Sequence, residues 1–397
     1  MFKRNVLAVS MTLAALCSAQ AAFADVNGGG ATLPQPLYQT AGVLTAGFAP
    51  YIGVGSGNGK AAFLNNDYTK FVAGVTNKNV HWAGSDSKLT QAELDAYAAN
   101  KQAGWGKLIQ VPSVATSVAI PFNKAGANAV DLSVNQLCGV FSGRLTDWSE
   151  ITGSGRTGTI TVVYRDESSG TTELFTRFLN AKCTEAKKFA VTTTFKDSYG
   201  FVQGVSAGTL PVGAVPAVTS QGVMTALNAA EGRVTYMSPD YAATTLAGLD
   251  DATKVAKVAG VSPAPANVSV AIAAVQVPSA LNVTNQNAWV PTFAATASDT
   301  DPSVVAYPTS GYPILGFTNL IFSQCYANAD QTAQVRTFFT RHYNLSAFSS
   351  NDTAIRNNRF VTLPNTWKTA INDNFLTASS PLSIGNPDVC NTIGRPL

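Results

Sequence analysis

The segment 162–175 reads VVYRDESSGTTELF, and its residue types suit the capture of an anion. A β-type run stops at Arg165, a short polar loop follows, and an apolar helical pattern starts after Ser169, a residue type that caps helix N-termini well. The open end of that helix faces the loop. Its first amides, at Gly170 and Thr171, the hydroxyls of Ser169 and Thr171, and the forked guanidinium of Arg165 are then placed to converge on a tetrahedral oxyanion. Gly170 has no Cβ and lets a ligand reach the backbone. Standing alone, the same residues also describe an ordinary capped connection between a strand and a helix, so other segments must decide.

Three segments add donors and one acceptor. Gly28-Gly29-Gly30-Ala31-Thr32-Leu33-Pro34 joins flexible backbone to a hydroxyl, and its proline suits a first helical turn. The segment 53–60, GVGSGNGK, is a second Gly-rich turn opening into a helical run. It is not a nucleotide loop. A P-loop needs glycine where Val54 stands and a hydroxyl where Ala61 stands, and Lys60 fills the last glycine of the dinucleotide pattern. In Trp82-Ala83-Gly84-Ser85-Asp86-Ser87 a strand ends on an acid among small residues, a pattern otherwise typical of a turn or cap aspartate.

Composition narrows the chemistry further. Of 397 residues, 46% are hydrophobic and 9% aromatic, enough for a large core and too apolar for disorder. Only 12% are charged, against about 25% in an ordinary soluble domain. The 26 Lys and Arg nearly match 23 Asp and Glu with no run of one sign, which excludes a nucleic-acid surface built on bulk charge. His81 and His342 are the only histidines, too few for a dinuclear zinc site and a poor basis for a hydrolytic triad. No metal and no cofactor are expected, and a site must rely on Asp, Arg, Ser, Thr and backbone amides.

Residues 1–24 carry Lys3 and Arg4, an apolar run over 6–17, and Ala22-Phe23-Ala24, the pattern of a cleaved secretory signal. The run is shorter than the ~20 residues that span a bilayer, and Leu16 before Cys17 disfavours lipidation, so no membrane insertion is expected. The expected location is the periplasm or the medium. Removing Lys3 and Arg4 from the 26 basic residues leaves 24 against 23 acidic ones, a net charge of +1. Cys138, Cys183, Cys325 and Cys390 remain, and an even count in an exported chain favours disulfides. Of the three possible pairings we prefer Cys138 with Cys183 and Cys325 with Cys390, which keeps each bridge within one half of the chain. Each would contribute roughly 4 kcal/mol on the chain-entropy model.

The elements that must position these residues are legible as strands over 80–85, 108–122, 160–165, 233–238 and 314–322. They alternate with helices over 91–99, 171–179, 222–230 and 332–342, which predicts an α/β protein with largely parallel sheets. Segments 111–123 and 307–323 read as two crossings between lobes. Lobe 1 would then comprise 25–112 and 310–397, and lobe 2 would comprise 113–309. The nearly uncharged stretch 258–302 reads as an elaboration on lobe 2, either an extended surface hairpin or a loose linker.

Taken in order, the four segments resemble the PstS-like periplasmic phosphate-binding proteins that feed ABC phosphate importers, and most closely their DING branch. That branch is named for an Asp-Ile-Asn-Gly-Gly-Gly start, and Asp25-Val26-Asn27-Gly28-Gly29-Gly30 differs from it only at Val26. The likeness runs through SGYPILGFTNLIFSQC to the C-terminal SIGNPDVCNTIGRPL. It implies a two-lobed type II periplasmic-binding-protein (Venus flytrap) fold with two crossover segments, and a monomer. Inorganic phosphate would be held between the lobes for uptake or scavenging without chemical conversion, with an ABC permease as partner. Carried over residue by residue, the phosphate ligands are the Thr32 hydroxyl, the Leu33 amide, Ser56 and Asp86 from one lobe, and Arg165, Ser169, Gly170 and Thr171 from the other. Glu167 stands where the family places an acid that orients the arginine, here Glu instead of Asp.

An acid in an anion site has a chemical use. Phosphate near neutrality still carries a proton that Asp86 can accept, whereas sulfate has none. Two like charges at ~4 Å repel by about 4 kcal/mol at an effective dielectric of 20, roughly a thousandfold in affinity. The competing expectation is a secreted alkaline-phosphatase-like phosphomonoesterase, a label carried by some of the branch. Asp86-Ser87 superficially suits a nucleophile pair, but the metal enzyme that uses one needs several histidines, and no catalytic residue is assigned here.

Overall fold

The computed structural model describes residues 25–184, 189–199 and 209–396; the expected signal, 1–24, lies outside the described residues. Short runs rich in branched and aromatic residues form its strands. They are β1 (Gly28–Gly30), β2 (Ile52–Gly53), β3 (Trp82–Ser85), β4 (Leu108–Ser117), β5 (Ile120–Asn123), β6 (Asp131–Leu132) and β7 (Thr161–Arg165). β8 (Val215–Ala217), β9 (Arg233–Val234), β10 (Val255–Val258), β11 (Thr292–Ala294), β12 (Val304–Ala306) and β13 (Leu315–Ser323) follow. A five-stranded sheet has the order β2-β1-β3-β13-β4, and a six-stranded sheet the order β6-β10-β5-β9-β7-β8. This is the two-lobed α/β architecture, one mixed sheet to each lobe.

The apolar run 108–122 is not one strand. β4 ends in the first sheet at Ser117 and β5 begins in the second at Ile120, so the chain changes sheet over Val118 and Ala119, both fully buried. The expectation of largely parallel sheets needs correction. β1 is parallel to β2 and β3, but β13 runs antiparallel to β3 and β4. In the second sheet β5 is antiparallel to β9 and β10. The exceptions are strands at the crossings, where the chain enters a sheet from the other lobe without a helical crossover to reverse it.

The helices follow their local signals. Thr90 and Glu93 form a capping box at the helix Gln91–Asn100, and Ser133 and Gln136 do the same at Val134–Ser142. Both sheets bury one continuous core, in which Trp82 stacks on Phe322 at 5.5 Å between ring centres. Cys138 is bonded to Cys183 and Cys325 to Cys390.

The stretch 258–302 is neither a surface hairpin nor a loose linker. It contains the helix Pro265–Ile272 and the strand β11, which pairs in parallel with β12. Its few aromatics anchor it: Trp289 packs edge-on against Phe375 at 4.8 Å, and Phe293 stacks with Tyr307 and Phe317. Burial is concentrated in its anchoring segments, 262–264, 271–272 and 287–291 with Phe293, while much of 273–286 is exposed.

Candidate anion-binding cleft

The first-lobe groups sit where strands end and helices begin. β3 delivers Asp86 one residue past its last strand position, and β1 leads to Thr32 and Leu33 ahead of the helix Gln35–Gln39. Ser56 opens the helix Ser56–Asn65 behind Gly55, whose φ of 89° is a conformation that glycine takes without strain. Across the cleft β7 ends on Arg165, and the helix Gly170–Lys182 starts after Ser169, whose Oγ accepts from the Thr172 amide at 3.3 Å. Ligands in open α/β sheets collect at such strand ends, where helix amides point outward.

The two halves meet closely. The Asp86 amide donates to Ser56 Oγ at 3.1 Å. A Cβ placed on Gly170 would stand 2.5 Å from both Asp86 Cβ and Ser56 Oγ, so only glycine allows this approach between lobes. Gly55 and Gly57 face Ser168 in the same way, with hypothetical Cβ positions 2.7 Å from its carbonyl oxygen and 2.2 Å from its hydroxyl. The Thr32 hydroxyl lies 3.0 Å from that of Ser220, also across the cleft. Leu33 sends its side chain into the core, leaving only its backbone beside Thr32. The cleft is therefore closed.

Asp86 and Arg165 are both almost fully buried, at 4% and 2% exposure, which makes their interactions strong. Burial raises the Asp86 carboxyl to about 7; the Thr318 hydroxyl and the Arg165 guanidinium oppose the rise, and Glu173 adds to it. The Arg165 guanidinium is paired with Glu167. Glu167 Oε1 also accepts the Thr219 amide at 2.8 Å. Arg165 Nε is buried without a protein partner, and Thr171 lies beside Asp86.

Sequence reasoning did not find four participants. Thr318 donates to Asp86 Oδ1 at 2.5 Å, and Ser220 reaches Thr32. The Tyr236 hydroxyl accepts the Arg165 amide at 3.2 Å and meets Thr172 Oγ1 at 2.8 Å. Thr219 sits at φ 59°, an uncommon conformation for a β-branched residue, which turns its amide toward Glu167. The only signal for Thr318 was a hydroxyl and an amide interrupting the apolar run of β13.

Both histidines are held by the core. His81 Nδ1 accepts the Asn27 amide at 2.9 Å, and burial lowers its pKa to about 3. His342 Nε2 lies 2.8 Å from Ser113 Oγ, a pair that superficially suits a nucleophile and its base. The proton is on the wrong nitrogen for that. Asn351 turns its Oδ1 to Arg341 and its Nδ2 to Val43 O and His342 Nδ1, so Nδ1 accepts and Nε2–H donates to Ser113. Ser113 Oγ also accepts from Tyr38.

The two mixed sheets, the crossings between them and a buried donor set closed between facing helix ends define the class of two-lobed solute-binding proteins. The chain belongs to the PBP superfamily, whose domain model matches residues 18–341, and within it to the DING phosphate-binding proteins. It is 69% identical to Alkaline phosphatase L of Pseudomonas aeruginosa over 402 residues, the whole of both chains. A phosphate-binding protein of an unknown prokaryotic organism is 67% identical over 94% of this chain and all of its own. The solved structure of the high-affinity periplasmic phosphate-binding protein PfluDING, bound with phosphate, superposes with a TM-score of 0.89. It is 69% identical and covers 94% of this chain and all of its own.

Proposed function

We propose that this protein captures inorganic phosphate between its lobes, without converting it, outside the cytoplasm and in the service of an ABC permease. Lobe 1 comprises 25–112 and 310–397 and lobe 2 comprises 113–309, with the ligand held by Thr32, Leu33, Ser56 and Asp86 on one side. Arg165, Ser169, Gly170 and Thr171 hold it on the other, and Glu167 orients the arginine. The observation that carries this reading is a buried acid, Asp86, facing Arg165, whose buried Nε lacks a protein partner. Such a set favours an anion that brings its own proton. The phosphate bound in the 69% identical PfluDING supports it. Among the described residues no helix is long and apolar enough to cross a membrane.

Purified protein should release one phosphate per chain on denaturation, and the stripped protein should bind phosphate far more tightly than sulfate in calorimetry. Equal affinities would reject the reading. Gly170→Ala should weaken phosphate binding by about ten- to a hundredfold, the usual cost of overpacking a tight contact, because the added methyl strikes Asp86 and Ser56 on closure.

A second reading, weak phosphomonoesterase activity, is favoured by the name of the 69% identical relative. The His342 tautomer makes Ser113 an unsuitable nucleophile, and any turnover would have to use the anion site itself. Phosphomonoester hydrolysis lost in both Asp86 and Arg165 variants would support this activity; hydrolysis that survives both comes from elsewhere.

A further inference from the structure

The carboxylate of Asp86 has two oxygens, and the protein engages Oδ1 itself. Thr318 Oγ1 donates to it at 2.5 Å from a fully buried position. The sheet register places that hydroxyl. Asn319 on β13 lies opposite Ser85, the last residue of β3, so Thr318 falls beside Asp86, one step further along. On its other side β13 shifts register against β4, where Thr318 faces Val114 and Asn319 faces Pro112, so the extra residue of the bulge is Ser113 on β4. Asn319 Nδ2 ties the same point to Ser85 O at 3.1 Å.

We propose that Thr318 is a positioning residue for anion discrimination, its hydroxyl holding Oδ1 of Asp86 as an ionised acceptor and leaving Oδ2 for the ligand's proton. This rests on the phosphate reading above. The other groups facing Asp86 are the Arg165 guanidinium at the end of β7, Thr171 and Glu173 on the helix Gly170–Lys182, and the Tyr38 and Tyr51 phenols, which stay neutral in their burial. Of the influences that hold the carboxyl down, the Thr318 hydroxyl is the largest.

Phosphate and sulfate respond differently to its loss. A phosphate complex needs one proton between ligand and Asp86, and either partner can supply it, so phosphate affinity depends little on the Asp86 pKa. Sulfate brings no proton and must find Asp86 already protonated. Its affinity therefore climbs as pH falls through the Asp86 titration.

The test is calorimetry with sodium sulfate and sodium phosphate between about pH 5 and about pH 9 on wild type, Thr318→Val and Thr318→Ser. Wild type should begin to gain sulfate affinity below about 7. In Thr318→Val the onset should move up by about one pH unit, so sulfate binds about tenfold more tightly above it while phosphate is unchanged. Thr318→Ser, which keeps the hydroxyl, should restore the wild-type profile. An unmoved onset in Thr318→Val overturns the proposal, as does an equal loss of both anions at every pH, the signature of a packing role. Absence of phosphate binding in wild type instead overturns the underlying reading.

Discussion

Arg165→Ala should reduce phosphate affinity by about a hundred- to ten-thousandfold, and sulfate affinity by a similar factor. Arg165 is the charged donor in the set and is 2% exposed, so water screens it little from a bound anion. Two charge-assisted hydrogen bonds at about 1.5–3 kcal/mol each account for the range, since each 1.4 kcal/mol is tenfold in affinity. A second effect adds to the first. Glu167, now held by Arg165 and the Thr219 amide, would lose its cation and stand as an uncompensated acid beside the ligand. The double variant Arg165→Ala/Glu167→Gln should therefore bind phosphate more tightly than Arg165→Ala alone. Calorimetry on stripped proteins checks both statements. A loss confined to phosphate would contradict them, because the guanidinium recognises charge and cannot detect the proton.

The Arg165 half of the candidate site was suggested by local signals, whereas Thr32, Leu33, Ser56 and Asp86 entered it through the family resemblance. A strand, a polar loop and a serine cap announce a helix end wherever they occur, and Arg165, Ser169, Gly170 and Thr171 lie within one such unit. Thr32, Ser56 and Asp86 each close a short strand or open a helix in the same way. The residues that escaped notice are contacts made across strands or lobes. Thr318 reaches Asp86 only because β13 runs antiparallel to β3 in one register, and Ser220 meets Thr32 only on closure. No spacing along the chain encodes either. The misjudged elements have a similar cause. The crossing over 111–123 was anticipated, but an apolar run carries no mark of strand ends or direction, so the break after Ser117 and the antiparallel entry of β5 could not be placed. In 258–302 the lack of charge did not separate a surface hairpin from a loose linker, and the packing of Trp289 on Phe375 and of Phe293 on Phe317 shows the stretch to be neither.

Asp86→Asn should collapse the preference for phosphate over sulfate by up to about a thousandfold, chiefly by strengthening sulfate binding. The variant keeps an oxygen for Thr318 and replaces the repelling charge by an amide that can donate to either anion. Its pH dependence should also change. Sulfate affinity in wild type should rise as pH falls through about 7, where burial has placed the carboxyl, and in the variant that rise should be absent. Stability supplies an independent check with a defined sign. A carboxyl raised in the folded state favours folding while it is protonated, so its contribution is complete below the unfolded value of 3.8 and is lost as pH climbs through about 7. Stripped wild type should therefore lose stability relative to Asp86→Asn between those values and melt below it under mildly alkaline conditions. Equal melting temperatures for the stripped proteins at acid and alkaline pH would mean that Asp86 carries no such strain. A buried acid that an anion bearing a proton relieves, and that an anion without one leaves repelled, gives phosphate its advantage over sulfate in the bound complex, because the ligand-free state is common to both.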